Sequence, residues 1–182
     1  MKKIISSIAV TLLLISSANA QKSTYISLKY AKGSGTETQD YSTGFSTKTK
    51  FDMSEKSLGI GLESKSNKIE LNYNVMNTDG YDLKSYGIEY IKSINNLSFN
   101  TKKLKIKPEL NMGLKYYKEV HNTNGIGIKL GVGVSTEISK AFEVGVGYEY
   151  QYVAWETMEG YYVDIDTDDS MFNFKLFGRF KF

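Results

Sequence analysis

The chain has 182 residues, 41% of them hydrophobic and 13% aromatic, with 23 Lys and Arg against 20 Asp and Glu and a formal charge of +3. That length suits one domain, the near-balance of charge offers no basic footprint for nucleic acid, and the composition excludes a bundle of membrane helices, each of which needs ~20 consecutive apolar residues. There is no Cys, so no disulfide staples the fold and no lipid can be attached through an N-terminal cysteine.

Residues 1–20 read MKKIISSIAVTLLLISSANA. Lys2 and Lys3 form a basic start, Ile4 to Ile15 an apolar run, and Ala18-Asn19-Ala20 a small-residue cleavage site. This is the layout of a cleaved signal peptide; the apolar run is too short for a membrane anchor. Cleavage predicts a mature domain over residues 21–182, exported by a bacterium. Removing Lys2 and Lys3 leaves 21 bases against 20 acids.

From Thr24 onward the apolar period is two, the signature of strands with chemically different faces. Eight segments follow in order: YISLKYAK from Tyr25, SLGIGLES from Ser57, KIELNYNV from Lys68, SYGIEYIK from Ser85, LKIKPELNMGLKY from Leu104, GIGIKLGVGVS from Gly125, FEVGVGYEYQYV from Phe142 and MFNFKLFGRFKF from Met171. One face carries large residues such as Ile26, Leu28, Tyr30, Leu110, Met112, Leu114, Phe172 and Phe174. The other interleaves Gly with Lys, Glu and Asn. Gly weakens a solvated strand, but inside a narrow barrel it leaves room for long side chains opposite.

The joints alternate. Ser64 to Asn67 and Thr136 to Ala141 are short, whereas Ser34 to Glu55, Asn77 to Leu83, Val120 to Gly125 and Ala154 to Ser170 are polar and mostly long. Short turns on one side and longer loops on the other mark an outer-membrane barrel. The joint from Ser93 to Lys103 departs from the pattern: it should be short, yet it is long and holds Leu97 and Phe99. Pro108 has no amide hydrogen for a ladder and predicts a bulge, or a fifth strand that starts later. Tyr30, Tyr86, Tyr116, Tyr148, Tyr150, Tyr152 and Trp155 fall toward the long-loop ends, as an interfacial girdle would. The first long joint, rich in Ser, Thr and Gly, reads as a mobile loop.

The last segment ends on Phe182, with Phe174, Leu176 and Phe180 at alternate positions upstream. It resembles the C-terminal assembly signal of bacterial outer-membrane β-barrels. With the strand count and loop alternation, residues 21–182 resemble the small eight-stranded OmpX/OmpA-type outer-membrane barrels. The resemblance implies an all-β fold, an antiparallel up-and-down transmembrane β-barrel of eight strands. It further implies residence in the outer membrane as a monomer, contact with outer-membrane lipids and lipopolysaccharide, handling by the barrel-assembly machinery, and altered gel migration on heating.

A barrel of this size is just wide enough for side chains to fill it. The inward set holds Glu63, Glu70, Glu89, Glu109, Glu143 and Glu149 with Lys29, Lys105, Lys107, Lys115, Lys129, Lys175 and Arg179. Near-balance of sign is what a packed ionic interior needs, and Lys or Arg turned to the bilayer midplane would cost about 2–4 kcal/mol each. The expectation is a plugged lumen, no cofactor, no nucleic-acid partner and no catalysis, with an envelope-structural or surface-interaction role (adhesion or defence) and a host or phage ligand at the outer loops. Two alternatives stand beside it: a narrow low-conductance channel, and a lipid A-modifying enzyme at the outer rim. The second rests on His121, with Thr123 two residues on where such enzymes carry Ser. The acidic last loop, from Glu156 to Asp169, lacks the Gly and Glu positions of an EF-hand calcium site.

Overall fold

The computed structural model describes residues 22–78, 81–100, 104–118, 123–160 and 163–182. The predicted signal peptide, His121, Tyr161 and Tyr162 lie outside them. Among the described residues the chain is almost wholly strand: β1 (Lys22–Tyr41), β2 (Ser46–Ser64), β3 (Asn67–Thr78), β4 (Tyr81–Ser93), β5 (Phe99–Asn100), β6 (Lys105–Lys118), β7 (Asn124–Ser139), β8 (Phe142–Trp155) and β9 (Ile165–Lys181). All pairings are antiparallel between chain neighbours, apart from two that make the ring: β9 pairs with β1, and β4 with β6. The result is a closed barrel of eight strands, to which β5 adds a short tab. Phe182 N–H donates to the Thr24 carbonyl at 3.0 Å, so the last residue takes part in sealing the seam.

The register fixes the barrel's geometry. From Pro108 the partners run Val134, Val146, Leu176, Tyr30, Lys56, Val75, Lys84 and back to β6 at Lys118. One circuit therefore returns ten residues further along the same strand. A displacement of that size on eight strands corresponds to a tilt of roughly 40°. Every residue on this circuit has its side chain on the outer surface or at its border, as the period of two demands.

The outward face is the apolar one. Leu28, Leu58, Ile60, Met112, Leu114, Leu130, Val132, Phe172 and Phe180 are all exposed. On β9 the oily positions run from Phe172 to Phe182; at ~3.3 Å per residue and that tilt they span about 25 Å, the height of an outer-membrane apolar band. A face this greasy is a lipid surface. The short turns, Lys65-Ser66 and Lys140-Ala141, lie at the same end as the start of β1 and the end of β9, the periplasmic side of such barrels. Lys65 adopts φ 55, the left-handed conformation that a two-residue hairpin requires.

Three expectations are corrected. The stretch from Ser34 to Glu55 is not a mobile loop: β1 runs on to Tyr41 and β2 starts at Ser46, leaving a turn in which Gly44 supplies φ 85. Pro108 causes no bulge; β6 passes through it in register with Val134. Its carbonyl accepts from Ile94 N–H at 2.8 Å, so its nitrogen points to the β4 side, where the β4 ladder has already ended at Ser93–Glu109. The missing donor costs no ladder bond. The long joint after β4 also finds a use: Phe99 and Asn100 take over the β6 edge that β4 has left, pairing with Ile106 and Lys105. Among the described residues the register shifts elsewhere, between Glu137 and Ser139.

Candidate functional site: the barrel interior and its outer rim

Inward residues from all eight walls meet in the lumen, because odd and even positions of each strand are committed to opposite faces. The buried groups form two ionic layers, a Lys115–Glu55 pair above them, and an apolar cap. Nearest the periplasmic end, Lys68 Nζ lies 2.8 Å from Glu109 Oε1 and 3.1 Å from Glu143 Oε1. Arg179 reaches both Glu109 oxygens, at 2.9 and 3.0 Å, and also pairs with Glu143. Its guanidinium lies 4.2 Å from the centre of the Phe177 ring and 6.0 Å from that of Tyr25, a cation over aromatic faces. Phe177, which breaks the alternation of large residues in the last strand, is thereby explained. It is buried, and Gly145 directly opposite leaves the space its ring needs. Gly61 makes the same allowance for Tyr25.

The middle layer holds three cations and three carboxylates. Lys29 sits 2.7 Å from Glu70 and 2.6 Å from Glu89. Lys129 sits 2.8 Å from Glu89 and 3.2 Å from Glu149. Lys175 pairs with Glu149 and stands 3.6 Å from Glu89. The Asn111 amide donates to both Glu89 and Glu149, at 2.8 and 2.9 Å. Above this, Lys115 lies 2.6 Å from Glu55 and donates to Gln151 Oε1 at 3.0 Å, as does Tyr117 OH at 2.9 Å. An apolar cap follows toward the outer end: Met53, Met76, Leu83, Tyr117, Val153 and Met171, with Phe51 and Trp155 against them. Trp155 Nε1–H donates to Asp169 at 2.8 Å.

Of the expected inward set, Lys29, Glu70, Glu89, Glu109, Lys115, Lys129, Glu143, Glu149, Lys175 and Arg179 are buried together. Glu63 stands at the periplasmic mouth, 2.9 Å from Lys181. Two residues are corrected. Lys107 pairs with the half-exposed Glu137 at 2.8 Å, at the rim of that mouth. Lys105 is exposed at the end of β6, past the closed interior, because β4 no longer walls it in. Sequence reasoning omitted Glu55, Lys68 and Lys181. Lys68 is in phase with Glu70 and Lys181 with Arg179, so extending the inward phase by one step finds both; Glu55 was given to a loop that is in fact strand. Phe174, Leu176, Phe180 and Phe182 of the last strand all face lipid.

At the outer end, β2–β3 pairing stops at Met53–Thr78 and β8–β9 pairing at Ala154–Asp168, while β1 pairs on with β2 to Asp40–Ser46 and with β9 to Tyr41–Ile165. A sheet in the order β2–β1–β9 therefore rises beyond the ring. The acidic residues of the last loop are spread over it: Asp169 faces inward to Trp155, Asp166 accepts from Thr157 Oγ1 at 2.6 Å, and the Asp164 amide donates to Ser42 Oγ at 3.1 Å. Among the described residues no three acidic or imidazole side chains are grouped to hold a metal ion.

No family model and no curated protein matches the sequence. Solved structures do match. The Pseudomonas aeruginosa outer membrane protein OprG aligns with a TM-score of 0.54 at 12% identity, over 90% of this chain and 97% of that one. The N-terminal β-barrel domain of Pseudomonas aeruginosa OprF aligns at 0.50 and 14%, over 89% and 100%. Neisserial surface protein A aligns at 0.48 and 17%, over 89% and 99%. At these identities the likeness is one of fold: this is the architecture of the small outer-membrane β-barrels, and an apolar belt of this height places such a chain in that membrane.

Proposed function

We propose that this integral outer-membrane barrel is a closed, non-enzymatic scaffold whose work is done at the cell surface, in envelope structure and in surface interaction such as adhesion or defence. One observation carries the reading: the lumen is filled at successive levels by paired charges and then by an apolar cap, while β1, β2 and β9 continue outward as a sheet. Breaking an ionic layer would strand buried charge at several kcal/mol per ion, so the interior resists becoming a water path. What remains for function is the outer surface. The rim-enzyme alternative depends on His121, outside the described residues, and nothing in the geometry favours it.

Purified protein in planar bilayers is expected to show no unitary conductance; reproducible ohmic steps would overturn the closed-lumen reading. Replacing residues 36–51 by a short turn should leave a heat-modifiable barrel but weaken attachment of the bacteria to immobilised host matrix, and unchanged attachment would count against the surface role. Lipid A mass spectra should be identical with wild type and His121→Ala; a lost modification would establish the enzyme.

A further inference from the structure

Above the ring, the outward face of the β2–β1–β9 sheet is basic along one edge and acidic along the other. The register lays it out in rows: Lys50–Thr36–Ser170, then Lys48–Thr38–Asp168, then Ser46–Asp40–Asp166 at the top. These side chains share one face because alternate positions of a strand do. Lys48, Lys50, Asp40 and Asp166 are exposed, and Asp168 is half-buried. Among the described residues neither lysine forms an ion pair, although Lys107 and Lys181 at the opposite mouth share Glu137 at 2.8 and 3.0 Å. Asp166 accepts from Thr157 Oγ1, and Asp168 stands between Thr38 and Ala154. Asp52, the remaining carboxylate on the β2 edge, lies one level lower, in the row that ends on Phe172.

Such a face complements itself under one symmetry. Two copies in one membrane stand upright in the same sense, so a closed pair has its two-fold axis along the membrane normal. Facing copies then exchange left and right, and β2 of one lies against β9 of the other. Copies on opposing membranes are inverted, and a two-fold parallel to the membrane sets β2 against β2, lysine facing lysine. The heights also match. At a tilt of roughly 40°, one strand step along a row climbs about 3 Å, and two residues along a strand climb about 5 Å. Lys50 is therefore level with Asp168, and Lys48 with Asp166, within about 1–2 Å. An axis beside Thr38 brings both lysines of one copy over both aspartates of the other, with Asp40 of the second copy beside Lys48. The small hydroxyl side chains of Thr36 and Thr38 at that axis let the sheets approach. Straight below, the tilt carries the wall across β9 to β8 and β7. There Leu130, Val132, Tyr148 and Phe174 border a shallow apolar groove, which leaves no charged group in the contact at bilayer level.

We propose that two copies of this chain associate side by side through this face, Lys48 and Lys50 of each against Asp166 and Asp168 of the other. Such a pair departs from the monomer that the family resemblance implied. The proposal rests on the fold and its orientation in the membrane and not on the surface-interaction role, so either can fail alone. Exposed ion pairs are individually weak. Here several act together on copies already confined to one plane and one orientation, which lowers the loss of translational and rotational freedom that association carries. The pair is accordingly reversible, and salt weakens it.

The chain has no Cys, so a single introduced thiol reports the contact. Thr38→Cys places it beside the axis, and Thr49→Cys places it on the other face of the same hairpin. Intact cells expressing the full chain with either change are treated with a short bismaleimide, and heat-modifiable migration establishes that each variant folds. Thr38→Cys is expected to yield a crosslinked dimer and Thr49→Cys little. Adding Lys48→Glu and Lys50→Glu to Thr38→Cys should cut the dimer about tenfold, as several weak attractions become repulsions. Adding Asp166→Lys and Asp168→Lys instead should do the same. All four reversals together restore opposite charges across the axis, and the dimer should return. Two cell populations carrying differently tagged Thr38→Cys chains, mixed before treatment, should give no mixed-tag dimer. Equal crosslinking from the two thiol positions, indifference to charge reversal, or no recovery with all four reversals overturns the proposal. Mixed-tag dimers formed between cells overturn the side-by-side arrangement.

Discussion

Glu89 is the carboxylate on which the middle ionic layer turns. It lies 2.6 Å from Lys29, 2.8 Å from Lys129 and 3.6 Å from Lys175, and it accepts from Asn111. Glu89→Gln keeps the shape and removes the charge. Lys29 then retains Glu70, and Lys129 and Lys175 retain Glu149, which leaves three ammonium groups on two carboxylates in a sealed interior. One uncompensated buried charge costs about 3–5 kcal/mol; with a urea slope of about 2 kcal/mol per M the unfolding midpoint should fall by roughly 2 M. The assay is urea titration of the protein refolded in lipid vesicles, followed by heat-modifiable migration and by the fluorescence of Trp155, the sole tryptophan. Adding Lys129→Met restores charge balance and should recover a large part of the loss. The exposed turn variant Lys140→Gln should stay within about 0.5 kcal/mol of wild type. If Glu89→Gln proves as harmless as Lys140→Gln, or if Lys129→Met deepens the defect, the interior is not a balanced ionic network and the reasoning fails.

Further expectations follow from the same geometry. Gly145→Leu puts a side chain into the Phe177 ring, and the overpacking should cost about 1–3 kcal/mol in the same titration; pairing it with Phe177→Ala should relieve most of that. Phe182→Ser removes the lipid-facing end of the seam strand, and pulse-labelled cells should show less protein reaching the heat-modifiable form, with undiminished assembly counting against the signal. Replacing Met53, Met76 and Met171 together by Ala empties the outer cap yet leaves both ionic layers in place, so planar-bilayer recordings should remain silent.

Much of the architecture could be read from the alternation alone, because a barrel in lipid enforces it without relief: each of the eight segments kept its apolar face outward. Reading failed where that enforcement ends. From residue 36 to residue 50 both faces of the hairpin are at least partly exposed, so Thr36, Thr38, Thr47 and Thr49 carry no period, and the strands passed for a loop. Lys105 and Lys107 had the right phase but lie where β4 has already stopped, a fact of register that no single strand records. Pro108 misled for a related reason: which neighbour its nitrogen faces depends on where a different strand terminates. Most of the ionic partners were legible as a set but not as pairs, since Arg179 meets Glu109 only across the lumen.

The ten-residue offset of the register has a consequence for how the wall can vary. Gaining or losing two residues in one strand would preserve which side chains face oil, so composition alone would not object. It would, however, change the girth of the cylinder and slide one stave past its neighbours, and Lys68, Glu109, Glu143 and Arg179 would no longer arrive at a common height. The salts inside thus act as the wards of a lock, admitting one alignment of the staves among several that grease alone would accept.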